Sequence, residues 1–232
     1  MATQQESKHE ITSQTGKGEY LIKTIDLMTE CFHGDPVFAW FLSDYPLEAQ
    51  KPYLKKLLRG FFTAGALNKG IFVEADNFGS CGLLMPPGCK PDNTFTMVQA
   101  GIIPLLCSLG VGFFKRVMLG YSPAVHALLP KAGFTKEEQR NHWYVFIMGT
   151  ALEKRRQGLA GELLVYFQNL AKKDGRPIWL EATTATSRDL YLKHGFVDVG
   201  EVVLGKGTHG GDGLKKKGGE GVVIWGMYWR PS

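Results

Sequence analysis

Apolar residues recur along this chain with two periods, and the switches between them mark out its elements. Leu21, Ile22, Ile25, Met28 and Phe32 fall three and four apart, the spacing of one helical face. A helix is therefore predicted from Glu19 until His33, Gly34, Asp35 and Pro36 stop it, because proline bars the helical region for the residue before it. The apolar cluster at 37–42 is expected to be a loop or a single helical turn. A second helix over 47–67 turns Tyr53, Leu54, Leu57, Leu58, Phe61 and Phe62 inward and leaves Lys51, Lys55, Lys56 and Arg59 as a solvated face.

Strand patterns follow. Runs at 71–75 and 81–85 flank Asp76, Asn77, Phe78 and Gly79, a hairpin signal, and Pro86 and Pro87 end the second run. An apolar strand at 143–150 then leads through a turn into Leu163, Leu164, Phe167, Leu170 and Ala171 at helical spacing. A further strand starts after Arg176 and Pro177 and runs over 178–183. A short helix, with Ser187 as its cap, stops at Gly195. Strands at 197–204 and 222–229 close the chain, and the Gly/Lys-rich stretch 206–221 between them reads as a flexible hairpin tip.

No charged residue lies between Asp92 and Lys115, and 97–114 is largely apolar. Gln99, Pro104, Ser108 and the glycines at 101, 110 and 112 argue against a spanning helix. An apolar helical insertion over about 93–134 that packs on the sheet or lids a site is the better reading.

Composition narrows the class. At 232 residues, with 44% apolar and 21% charged content, the chain suits one globular domain over 19–232 behind a polar tail, 1–18, expected to be disordered apart from a short strand near 9–12. The net charge of +5 fits an anionic cofactor. Aromatics and cations do not interleave in a patch that would mark a nucleic-acid binder. Cys31, Cys81, Cys89 and Cys107 show no metal-ligand spacing, so no metal is expected. Cys81 and Cys107 read as small buried hydrophobes, and Cys89 as exposed. The polar N-terminus has no apolar core like that of a signal peptide, which points to the cytoplasm.

The chemistry centres on the turn Arg155-Arg156-Gln157-Gly158-Leu159-Ala160-Gly161. The first amides of a helix lack partners and sit at the positive end of its dipole, so small residues there let a phosphate approach. No Gly-Lys-Ser/Thr closes the turn and no G-x-G-x-x-G follows a strand, which excludes the P-loop and the Rossmann fingerprint.

Arg155, Gly158 and Ala160 match the Arg/Gln-x-x-Gly-x-Gly/Ala acetyl-CoA signature, and Tyr191 to Phe196 match Tyr-x-x-x-Gly-Phe. On these motifs the chain resembles the GNAT (GCN5-related) N-acetyltransferase superfamily, and Leu180-Glu181-Ala182-Thr183 resembles its puromycin N-acetyltransferase-like branch. The resemblance implies a single α/β domain: a mixed, mostly antiparallel sheet with a splayed parallel central strand pair and helices on both faces. It implies acetyl-CoA as cosubstrate, seated on Arg155 to Gly161 and Ser187, with pantetheine bonded to the main chain of Met148, Gly149 and Thr150. Tyr191 would protonate the thiolate. It also places the first helices beside the acceptor, nominating Phe32, Asp35, Phe38 and Trp40 as pocket residues.

Glu181 is the only carboxylate on either strand of the pair and must reach a pocket or a cation. Glu181 and His142 are thus candidate bases. The function expected is direct N-acetylation of a small hydrophobic amine, in detoxification or secondary metabolism, by a monomer or homodimer that neither spans a membrane nor binds nucleic acid. The alternatives are a protein or peptide N-acetyltransferase and a non-catalytic acyl-CoA-binding module.

Overall fold

The computed structural model describes residues 9–89 and 94–231. Among the described residues seven strands form one sheet in the order β1-β2-β3-β4-β5-β7-β6. They are β1 (Ile11–Thr15), β2 (Ile71–Ala75), β3 (Ser80–Met85), β4 (Trp143–Thr150), β5 (Ile178–Ala182), β6 (Val197–Leu204) and β7 (Val222–Trp229). Only β4 and β5 pair in parallel; every other neighbour is antiparallel. The sheet is thus mixed and mostly antiparallel, as expected. Of the tail expected to be disordered, 1–8 lie outside the described residues and 11–15 form β1; Asp92 also lies outside.

Helices cover both faces. On one, α1 (Glu19–Phe32), α2 (Pro36–Phe41) and α3 (Leu47–Leu67) set Ile25, Met28, Leu57 and Phe62 against Phe72, Leu83 and Ile147 of the sheet. On the other, α8 (Leu159–Asp174) and α9 (Ala185–Lys193) set Leu163, Phe167 and Tyr191 against Val73, Leu84 and Leu180. Each such large side chain stabilises the fold by about 1.5–3 kcal/mol relative to exposure. The 37–42 cluster is a helix, not a loop, because Asp35 caps it: its Oδ1 accepts the amides of Val37 (2.9 Å) and Phe38 (3.3 Å).

The apolar insertion comprises α4 (Thr94–Gln99), α5 (Ile102–Lys115), a π-helical turn (Arg116–Tyr121), α6 (Ser122–His126), a 3-10 turn (Leu129–Ala132) and α7 (Lys136–Arg140). Gly110, at φ 81° and ψ 172°, breaks α5 in its middle. Among the described residues no helix is long and apolar enough to cross a membrane. Cys107 on α5 is exposed rather than buried, and Cys89 is half-buried. Mean hydropathy along a helix cannot say which side of it meets the core.

The 205–221 segment is a docked loop, not a free tip. His209 is buried between Ser43 Oγ (3.0 Å from Nε2) and Thr208 Oγ1 (2.8 Å from Nδ1). Lys215 Nζ lies 2.7 Å from Asp44 Oδ1, while Arg116 reaches Asp44 Oδ2 (2.6 Å) and the Phe41 carbonyl (2.9 Å). The Arg116 contact, with that of Lys215, holds the Asp44 carboxyl down at about 2. Glycine reads as flexibility in composition, but here it permits close approach: a Cβ on Gly213, at φ +81°, would collide with the Pro36 carbonyl. Gly213→Ala should therefore cost roughly 2 kcal/mol of strain and lower Tm by about 4–8 °C, measured by calorimetry; an unchanged Tm would show the docking to be incidental.

Candidate active site

The parallel pair opens where it begins. Only Trp143 with Ile178 and Tyr144 with Trp179 are in register; past Tyr144 the strands lose their pairing. A β-bulge contributes. Leu83 faces Ile147 and Leu84 faces Val145, so Phe146 is the extra residue on β4. It shifts the side-chain alternation by one: Trp143 and Val145 pack with α8, Phe146 and Ile147 both with α1 and α3, and Met148 returns to the α8 side.

The gap forms part of a cleft of about 1390 Å³. That exceeds the 300–1000 Å³ usual for one small ligand and leaves room for two. At one end stands the start of α8. Gly158, at φ 93°, caps it with no side-chain acceptor, and a Cβ there would meet nothing within 4 Å, so the space over the first-turn amides is open. Arg155 and Arg156 are exposed beside it and, with Met148, Gly149, Thr150, Leu159 and Ala160, line the cleft. Gly161 is small for another reason, because a Cβ would strike the His194 ring at 2.6 Å.

At the other end is an aromatic chamber closed by the insertion, whose Phe113, Val117, Tyr121 and Val125 form one wall. Glu181 sits on its floor. Trp179 Nε1 donates to its Oε1 (2.5 Å) and Tyr144 Oη to its Oε2 (2.8 Å). Burial raises its pKa, against the lowering pull of those two bonds and of His126. Asp35 also lines the chamber; its Oδ2 accepts from Thr183 Oγ1 (2.7 Å), and burial pushes its carboxyl up to about 6. Between the two ends Tyr191 reaches the cleft from α9. Burial, reinforced by the charges of Glu181 and Asp35, raises its pKa.

An acetyltransferase (GNAT) domain model matches residues 127–210, the span from the end of the insertion through the bulged strand, the helix end and Tyr191. A Schizosaccharomyces pombe uncharacterized N-acetyltransferase is 25% identical over 175 residues, covering 75% of this chain and 70% of its own. Over residues 127–210 the chain is thus similar to the GNAT acetyltransferase domain. Several solved structures share the fold. One, from Corynebacterium glutamicum, is described as histone acetyltransferase HPA2 and related acetyltransferase (TM-score 0.60, 20% identity, 96% of this chain and 97% of that one). Arylalkylamine N-acetyltransferase 2 of Aedes aegypti gives TM-score 0.59 at 17% identity over 95% and 99%. Drosophila melanogaster polyamine N-acetyltransferase gives 0.58 at 10% over 96% and 100%.

Most residues nominated from the sequence line this cleft: Tyr191, Glu181, His142, the β4 end, Arg155 to Gly161 apart from Gln157, Ser187, Phe32, Asp35 and Phe38. Gln157 is exposed and donates to the Glu153 carbonyl (3.3 Å). Trp40 is the departure. It is 4% exposed, absent from the cleft lining, and packs toward Gly120, Gly205 and His209. On α2 it lies two residues after Phe38 and one before Phe41, which do line the cleft, so at helical spacing it turns to a different face. His142 anchors Nδ1 on the Glu138 carbonyl (2.9 Å) and tilts against Phe134. Ser187 is not the cap of α9: Thr184 is, two elements of a capping box with Ser187 at the third position. Among the described residues no three His, Cys, Asp or Glu side chains group as a metal site.

Tyr144, Trp179 and Tyr121 were not singled out from the sequence, and Thr183 was noted only within the Leu180 to Thr183 motif, with no role. Trp179 and Glu181 are two apart on one strand and so share a face, and the parallel register sets Tyr144 beside Trp179. Period-two reading of the pair therefore held that signal. Tyr121, whose hydroxyl reaches Tyr144, comes from a π-helical turn that leaves no periodic trace.

Proposed function

We propose that this GNAT chain is an N-acetyltransferase that moves an acetyl group from acetyl-CoA to the amine of a small, largely apolar molecule. The observation that carries this reading is one cleft with an uncapped, glycine-led helix end at one side, a buried carboxylate in an aromatic chamber at the other, and Tyr191 between them. The residues present fit the cosubstrate. The open α8 amides with Arg155 and Arg156 suit a pyrophosphate, and the unpaired reach of β4 suits an extended amide-bearing arm. Arylalkylamine and polyamine N-acetyltransferases among the structural neighbours support a small amine acceptor. So does the insertion, which closes the chamber with apolar side chains instead of leaving an acidic groove for a basic peptide.

Acetyl-CoA, when bound, supplies the thioester carbonyl and the leaving sulfur. Glu181 takes the proton of the acceptor ammonium, so that the nitrogen lone pair can form the new C–N bond as the C–S bond breaks. A β4 amide polarises the carbonyl, and Tyr191 donates its hydroxyl proton toward the departing thiolate. Holding both reactants in one cleft supplies the orientation.

The cradle is tested by calorimetry with CoA. Gly158→Glu should weaken binding roughly 30-fold, about 2 kcal/mol, by setting a carboxylate where the pyrophosphate lies. Gly158→Asn, which tolerates the left-handed conformation, should stay near wild type. Equal affinity in all three proteins would refute the cradle.

A further inference from the structure

The acceptor chamber has an apolar rim. Val98, Phe114 and Met118 line the cleft, yet are 49%, 42% and 51% exposed, and Val111 (68%) and Leu119 (71%) continue the apolar surface outward on the same segment. Scattered exposed hydrophobics are ordinary, whereas a run of them at a cavity mouth marks a surface that something apolar covers. No charged residue interrupts 93–114. The floor of the same chamber is the opposite in character, with Glu181 held by Tyr144 and Trp179. The path from floor to rim therefore runs from an anion among aromatic faces, suited to an ammonium group, to a surface suited to hydrocarbon.

Resting on the transferase reading above, we infer that the acceptor is an amphipathic primary amine whose apolar tail extends from Glu181 to the rim at Phe114 and Met118. The continuity of the rim with the chamber selects this occupant over a second protein or a lipid surface. Each methylene that the chamber and rim remove from water adds up to about fourfold to kcat/KM, and the gain ends once the tail outgrows the rim.

The test measures thiol release from acetyl-CoA with straight-chain primary amines from propylamine to decylamine, below their micelle concentrations. A two- to fourfold rise in kcat/KM per methylene over several members supports the inference. So does a decylamine-to-propylamine ratio that collapses at least tenfold in Met118→Asp while Leu119→Asp, outside the cleft, keeps the wild-type ratio. A series in which short amines react but length brings no gain overturns this inference and leaves the transferase reading intact. A gain that follows the length of the donor acyl chain instead also overturns it, since the tail would then belong to the donor. No turnover of any amine, by a protein that still binds CoA in calorimetry, overturns both.

Discussion

Tyr191→Phe is expected to lower kcat by about a thousandfold while leaving CoA affinity within about twofold. Tyr191 is 7% exposed, and its hydroxyl, which a buried tyrosine would normally bond, has no hydrogen-bond partner among the described residues while it lines the cleft. Its packing lies elsewhere: the ring tilts against Phe196 with centroids 5.8 Å apart, a contact phenylalanine keeps. The substitution therefore removes a proton donor and little else. Burial, with Glu181 and Asp35 nearby, raises the phenol above its ordinary value, so it remains protonated through the working range. A positioned general acid contributes about 10²–10⁴ in rate. The wild-type enzyme should accordingly show no loss of rate from this group below about pH 10. Steady-state kinetics alongside CoA calorimetry and a melting curve decide it: a kcat within threefold of wild type would remove the proton-donor role.

The parts of this site legible in the sequence are those fixed by local chemistry. A glycine at a helix start, a tyrosine four residues before Gly195 and a lone acid in an apolar strand each carry their meaning within a few residues. What was hidden depends on distant segments meeting. Thr183 bonds to Asp35 across 148 residues, and Asp44 gathers Arg116 from the π-helical turn and Lys215 from the 205–221 loop. Neither pairing leaves a periodic mark. Trp40 was misplaced because an apolar cluster shows that burial will occur but not toward which side; that was settled by Asp35 nucleating α2 and by the 205–221 loop closing over its back. The same loop looked like a flexible hairpin tip by composition, since glycines that serve close backbone approach cannot be told by count from glycines that serve flexibility.

Glu181→Gln should reduce kcat/KM by roughly a hundredfold or more and erase an acid limb from the pH profile. Glutamine is nearly the same shape, and the surrounding donors tell how it must sit. Trp179 Nε1 can only donate, so the amide oxygen takes its bond, and the amide nitrogen turns to Tyr144, whose hydroxyl can accept. The network survives and the charge does not. Burial raises the Glu181 pKa, so its basic form is lost at a higher pH than for an exposed glutamate. Wild-type kcat/KM should thus climb with pH through a midpoint above the usual carboxylate range, where Glu181 gives up its proton and becomes able to accept one. The acceptor's own ionisation adds a second rise at high pH, but it is identical in both proteins and cancels in their ratio. Asp35, with its carboxyl pushed up to about 6, is the other group that could shape this limb. Asp35→Asn separates them, because asparagine preserves the cap on α2. If Glu181 is the base, the Gln variant loses the limb and the Asn variant keeps it. The reverse pattern would assign the proton to Asp35, and a Gln variant with both the wild-type limb and the wild-type rate would exclude Glu181 from the chemistry.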